Sequence, residues 1–166
     1  MKILTFSKKD FINFMQYNNI DDSNVESQDM LFISINRHYR PYRKDSFKHD
    51  VECYFKRQHS NAITMHFGDY SEEDIQKKEN KGPTGIFNEY KAKKLYEFIK
   101  KNKHKKLAII HCGAGISRSG AIATFIFDLY GDTKYDEFKR KNPQIQPNQH
   151  ILKLLRKEYD KDDTNK

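Results

Sequence analysis

The stretch Lys106-Leu-Ala-Ile-Ile-His-Cys-Gly-Ala-Gly-Ile-Ser-Arg-Ser-Gly120 constrains this chain more than any other. Leu107 to Ile110 is a continuous apolar run, the pattern of a strand buried on both faces. Ala121 to Tyr130 is apolar around nearly its whole circumference, the pattern of a buried helix. A strand, a tight glycine-containing loop and a helix N-terminus together make an anion nest. The helix end supplies free N–H groups and a partial positive charge.

Cys112 opens that loop and Arg118 closes it, with five residues between them. A thiol at the foot of a ring of N–H donors is acidified; thiols in such places fall to roughly 3.5–7.5. The thiolate is then the species at neutral pH, and it is a strong nucleophile. Arg118 can offer two parallel N–H groups to two phosphate oxygens. Gly113 and Gly115 let the backbone turn its amides inward. The cradle expected for a phosphate is Gly113, Ala114, Gly115, Ile116, Ser117 and Arg118. Ser119 can donate its hydroxyl to the sulfur and help it depart in a second step.

Other phosphate-loop readings fail on residues. Gly115 and Gly120 have the nucleotide-loop spacing, but Ala121-Ile122 stands where Lys-Ser/Thr is required. Gly113-x-Gly115 lacks the third glycine of a dinucleotide fingerprint. His111-Cys-Gly-Ala-Gly-Ile-Ser-Arg-Ser-Gly120, between an apolar strand and an apolar helix, resembles the active-site loop of the cysteine-dependent protein phosphatases, tyrosine-specific and dual-specificity alike. The resemblance spans roughly residues 30 to 158. It implies a phosphatase-like α/β fold with a mostly parallel sheet of four to five strands. The strand and helix patterns imply the same class independently, because they alternate along the chain.

The length, 166 residues, suits one domain, expected over 1–160 with a frayed tail at 161–166. Two cysteines, Cys53 and Cys112, make no disulfide framework. Met1 to Phe6 reads as a strand and not as a secretion signal, and no run approaches a membrane span. A reducing, cytoplasmic setting is therefore the expectation. The net charge of +8 favours anionic partners: phosphorylated proteins, nucleic acid or acidic membrane.

Ser7-Lys-Lys-Asp10 and Ser71-Glu-Glu-Asp74 read as capping boxes opening short helices, and Thr133-x-x-Asp136 as the cap of another. Strands are expected at 30–36 and 62–67. An amphipathic helix is expected over 86–101, with Phe87, Tyr90, Leu95, Phe98 and Ile99 inward. Gly131 fits the position just past a helix end, and Pro147 the first turn of the last helix. Residues 37–57 interleave Arg37, Arg40, Arg43, Lys44, Lys48, Lys56 and Arg57 with Tyr39, Tyr42, Phe47, Tyr54 and Phe55. That mixture fits a solvated loop, steering toward a phosphoprotein, or single-stranded nucleic acid.

Cleaving a phosphate ester leaves a poor alkoxide or phenoxide, which a general acid must protonate. The resemblance implies an Asp on a loop upstream of the cysteine. Asp69, Glu72, Glu73 and Asp74 are the candidates. Asp74 has a capping task available, so Asp69, past a strand end, is preferred. His111 either tunes the thiol or is a packed neutral histidine. Gln144, Gln146, Asn148 and Gln149 are candidates to hold the hydrolytic water. Cys53 is either an inert thiol or a disulfide partner of Cys112. No metal and no cofactor is expected.

These features point to a phosphomonoesterase acting through cysteinyl-phosphate on phosphotyrosine, and on phosphoserine and phosphothreonine. Alternatives on the same loop are an RNA 5′-triphosphatase and a phosphoinositide phosphatase, the latter disfavoured by the absence of Lys from 113–117. A catalytically weak phospho-binding module is another, as is a rhodanese-like sulfur carrier or arsenate reductase.

Overall fold

The computed structural model describes residues 1–36, 53–77 and 85–164. Most of the basic and aromatic stretch, 37–52, and the loop at 78–84 lie outside the described residues.

The apolar run becomes strand β4 (Leu107–His111), second in a four-stranded sheet of order β1-β4-β2-β3. Its neighbours are β1 (Lys2–Phe6) and β2 (Met30–Asn36); β3 (Ala62–His66) lies beyond β2. All pairings between these four strands are parallel, with Ile109 opposite both Leu4 and Phe32. Parallel strands are covered on both faces, which is why β4 carries no polar alternation.

Alternate residues serve two cores. Ala108 and Ile110 of β4 and Leu31, Ile33 and Ile35 of β2 enter the larger one. Four helices close it: α3 (Glu89–Lys101), α4 (Arg118–Tyr130), α5 (Tyr135–Lys141) and α6 (Gln149–Asp163). Ile109 and Phe32 enter the smaller one, closed by α1 (Lys8–Tyr17) with Phe11 and Met15, and by Ile20, Val25 and Phe55. Each fully buried Leu, Ile or Phe contributes about 1.5–3 kcal/mol.

Both serines expected as caps are caps. Ser7 accepts from the Asp10 N–H, and Ser71 and Asp74 form a reciprocal box at α2 (Glu72–Gln76). Elsewhere the structure departs from the sequence reading. The inward stripe of α3 is Ala92, Leu95, Tyr96 and Ile99, and Tyr90 is 75% exposed because it falls off that arc. Lys134, not Thr133, precedes α5, without a side-chain cap. Asn148 caps α6, so Pro147 precedes the cap and lies two residues before the first helical residue, Gln149. Gly131 has φ −60°, so it does not use the left-handed region; a Cβ there would lie 2.6 Å from the Phe127 ring. The tail expected to fray from 161 stays helical through Asp163. Asp162 accepts from Tyr96 Oη at 2.9 Å and pairs with Lys100 at 2.7 Å, which fastens the last turn to α3.

Candidate active site

β4 ends at His111 and α4 begins at Arg118, so residues 112–117 form the turn between the central strand and the buried helix. Gly115 makes this turn possible. Its φ is +76°, and a Cβ would lie 2.6–2.7 Å from the backbone of Phe6 and Ser7. Only glycine satisfies both conditions. In this conformation the Gly115 N–H donates to Cys112 Sγ at 3.2 Å.

Cys112 is 2% exposed, and Ser119 Oγ lies 3.2 Å from its sulfur. Burial pushes the thiol pKa up. The Ser119 hydroxyl and N–H, the Arg118 charge and the Gly115 N–H together outweigh burial and hold it below the ordinary thiol value.

Arg118 is 5% exposed and donates from Nη1 to the Phe67 carbonyl at 3.0 Å. Among the described residues its buried Nε has no hydrogen-bond partner. A buried donor left unmade costs about 1–3 kcal/mol, so the arrangement suits an acceptor arriving from outside. A Cβ on Gly113 would lie 3.4 Å from Arg118 Nη2, an ordinary contact distance.

Ser117 stands at the N-cap of α4 but makes no cap bond. Its hydroxyl donates instead to Asp69 Oδ1 at 2.8 Å. The helix N-terminus is thus kept open, with its first intrahelical bond running from the Ala121 N–H to the Ser117 carbonyl at 2.9 Å. Asn148 Nδ2 donates to the same Asp69 oxygen at 2.8 Å and to the Tyr70 carbonyl at 3.1 Å. Asp69, Cys112 and Arg118 line one cavity of about 450 Å³. Asp74 does not line it; its carboxylate accepts from the Ser71 N–H and hydroxyl in the α2 cap.

The segment before α6 braces the loop. The Gln146 and Asn148 N–H groups donate to the Ile116 and Ser117 carbonyls, both at 3.2 Å. Of the amides considered for the hydrolytic water, Gln144 donates to Thr5 Oγ1 at 2.8 Å and Gln149 to the Pro147 carbonyl at 2.9 Å. Asn148 is the one that reaches Asp69. His111 is 2% exposed and stacks on Phe11 at 4.2 Å. Burial, aided by the Lys8 and Arg118 charges and opposed by the Cys112 carbonyl, pushes its pKa down to about 4. It is the packed neutral histidine. Cys53 and Cys112 are free thiols, and Cys53 Sγ lies 4.0 Å from His66 Nε2.

Sequence reasoning missed Lys8, Ile35 and Asn36, which line the cavity from α1 and the end of β2. Position along a strand would have raised Asn36, since sites in parallel sheets gather at strand C-terminal ends. Nothing local marks Lys8. Among the described residues no group of three or more His, Cys, Asp or Glu could hold a metal, and no helix is long and apolar enough to cross a membrane.

No family model matches the chain, and no curated protein matches it. Among solved structures it is similar to the Cydia pomonella PTP-2 phosphatase, at 16% identity over 93% of this chain and 84% of that chain, with a TM-score of 0.46. A likeness of that size says nothing about chemistry. The chemistry has to come from the loop itself.

Proposed function

We propose that this protein is a cysteine-dependent phosphatase acting on phosphorylated proteins, at phosphotyrosine and also at phosphoserine and phosphothreonine. One observation carries the reading. An acidified Cys112 and a buried Arg118 with an unpartnered Nε face one cavity at an uncapped helix N-terminus. Such a pocket pairs a nucleophile with preorganised donors for a tetrahedral oxyanion.

The substrate phosphate docks on the amides of 113–118, with Arg118 Nε donating to one oxygen. The Cys112 thiolate attacks phosphorus in line, forming the S–P bond as the P–O bond to the substrate breaks. Asp69, protonated, gives its proton to the departing oxygen. Its Oδ1 is held by Ser117 and Asn148, which leaves Oδ2 for this transfer. Water then attacks phosphorus while the Asp69 carboxylate takes its proton. The S–P bond breaks toward sulfur, and the Ser119 hydroxyl stabilises the returning thiolate.

Cys112→Ser is expected to abolish release of phosphate from phosphotyrosine peptide while still binding it. Asp69→Asn is expected to lower kcat about 100-fold or more. Full turnover in the serine variant would exclude the covalent route. Binding by the wild-type chain with no turnover of phosphopeptide or aryl phosphate would make it a phospho-binding module.

A further inference from the structure

One charge in the cavity is not used by that mechanism. Lys8 is the first residue of α1, and its N–H donates to the Gly113 carbonyl at 3.1 Å. Its backbone is therefore fastened to the residue that follows the nucleophile. Its half-buried side chain lines the same cavity as Cys112 and Arg118. The Lys8 charge is felt inside the protein, where it helps to depress His111.

On the phosphatase reading, the loop amides and Arg118 already serve the oxygens of one phosphate. A lysine is a compact charge on a flexible four-carbon stem, unlike the planar fork that clamps phosphate. Lys8 also comes from a different element, α1, and lines the cavity of about 450 Å³ from there. Such a cation is suited to a second anionic group beside the phosphate. In an extended peptide each residue advances about 3.3 Å, so a carboxylate one or two residues away falls within a lysine's span.

We propose that Lys8 is a specificity-determining residue that selects phosphoproteins carrying Asp or Glu within two residues of the phosphorylated side chain. The proposal rests on the phosphatase reading above. An overall charge of +8 steers such acidic segments toward the protein.

The test compares two phosphotyrosine peptides, identical except that Glu at the two positions on either side of the phosphotyrosine is replaced by Gln in one. For the wild-type chain, kcat/KM should favour the Glu peptide about five- to tenfold, chiefly through KM, and the preference should shrink between 50 and 500 mM salt. Lys8→Arg should keep the preference, Lys8→Gln should erase it, and Lys8→Glu should reverse it. Equal rates for the two peptides in the wild-type chain overturn the proposal. So does a preference that survives Lys8→Gln, or a Lys8→Gln loss that is the same for both peptides, which would mark Lys8 as a general phosphate cation. If triphosphorylated RNA is turned over faster than either peptide and loses most in Lys8→Gln, the second anion is a phosphate and the peptide assignment is wrong. Failure of the underlying reading looks different: neither peptide is turned over by the wild-type chain.

Discussion

His111 precedes Cys112, yet its contribution is structural. It packs flat against Phe11 inside the smaller core, where a charge would be stranded. The linkage sign follows from its pKa, which falls from an ordinary 6.5 to about 4 on folding. The unfolded chain therefore takes up the proton first. Stability from the neutral imidazole is fully present above pH 6.5 and is lost as pH falls toward 4. The loss across that window is on the order of 3 kcal/mol. Urea denaturation of the wild-type chain and of His111→Gln at pH 7 and pH 4.5 measures it. The wild-type chain should lose more stability than the variant, and equal losses would show that His111 does not carry this acid sensitivity. Arg118, by contrast, carries a cost that the proposed function would repay: its buried Nε has no partner among the described residues, and a bound anion would supply one.

At the scale of elements, the turn between β4 and α4 is shaped by a backbone contact with the start of α1. A Cβ on Gly115 would lie 2.6–2.7 Å from the backbone of Phe6 and Ser7, whereas one on Gly113 would meet only a guanidinium nitrogen at 3.4 Å. Gly115→Ala combines a left-handed φ with a clash against rigid backbone. It should cost about 2 kcal/mol or more, and Gly113→Ala well under 1. Denaturation midpoints of the two variants check the contrast, and similar values would mean that the β1–α1 junction yields easily. The strand, loop and helix at 107–130 were legible in the sequence because their logic is local: an apolar run, two glycines, an arginine and an apolar helix are covalent neighbours. The partners of Asp69 were not. Asn148 lies 79 residues from Asp69, and only the packing of the 146–148 segment on the loop joins them. Lys8 was hidden for the same reason, since parallel pairing of β1 with β4 is what brings α1 to the cavity. The cap expected at Thr133 falls one residue later, at Lys134, and the helix start expected at Pro147 falls two residues later, at Gln149, because several neighbouring residues compete for a helix end.

At the scale of the whole molecule, one buried amide couples the sheet's edge to the site. β1 is an edge strand whose outer side presents the Ile3 carbonyl and the Thr5 N–H. Asn142, fully buried, covers both: Nδ2 donates to Ile3 at 3.0 Å, and Oδ1 accepts from the Thr5 N–H at 2.8 Å and its hydroxyl at 3.0 Å. The side-chain amide does what the peptide of a further strand would do, which closes the edge against other chains. The residues after it reach the turn between β4 and α4, with Ile145 against Gly120 and the Gln146 and Asn148 N–H groups on the Ile116 and Ser117 carbonyls. Asn142→Ala should therefore act twice. It leaves two buried backbone groups on β1 unmade, costing about 3 kcal/mol. It also frees the brace that holds Asp69 through Asn148, so kcat on an aryl phosphate should fall several-fold at a temperature where the variant is still folded. If stability drops while kcat is unchanged, the edge and the site are independent. If neither moves, a water or a shifted side chain replaces the amide, and Asn142 is not the tie between them.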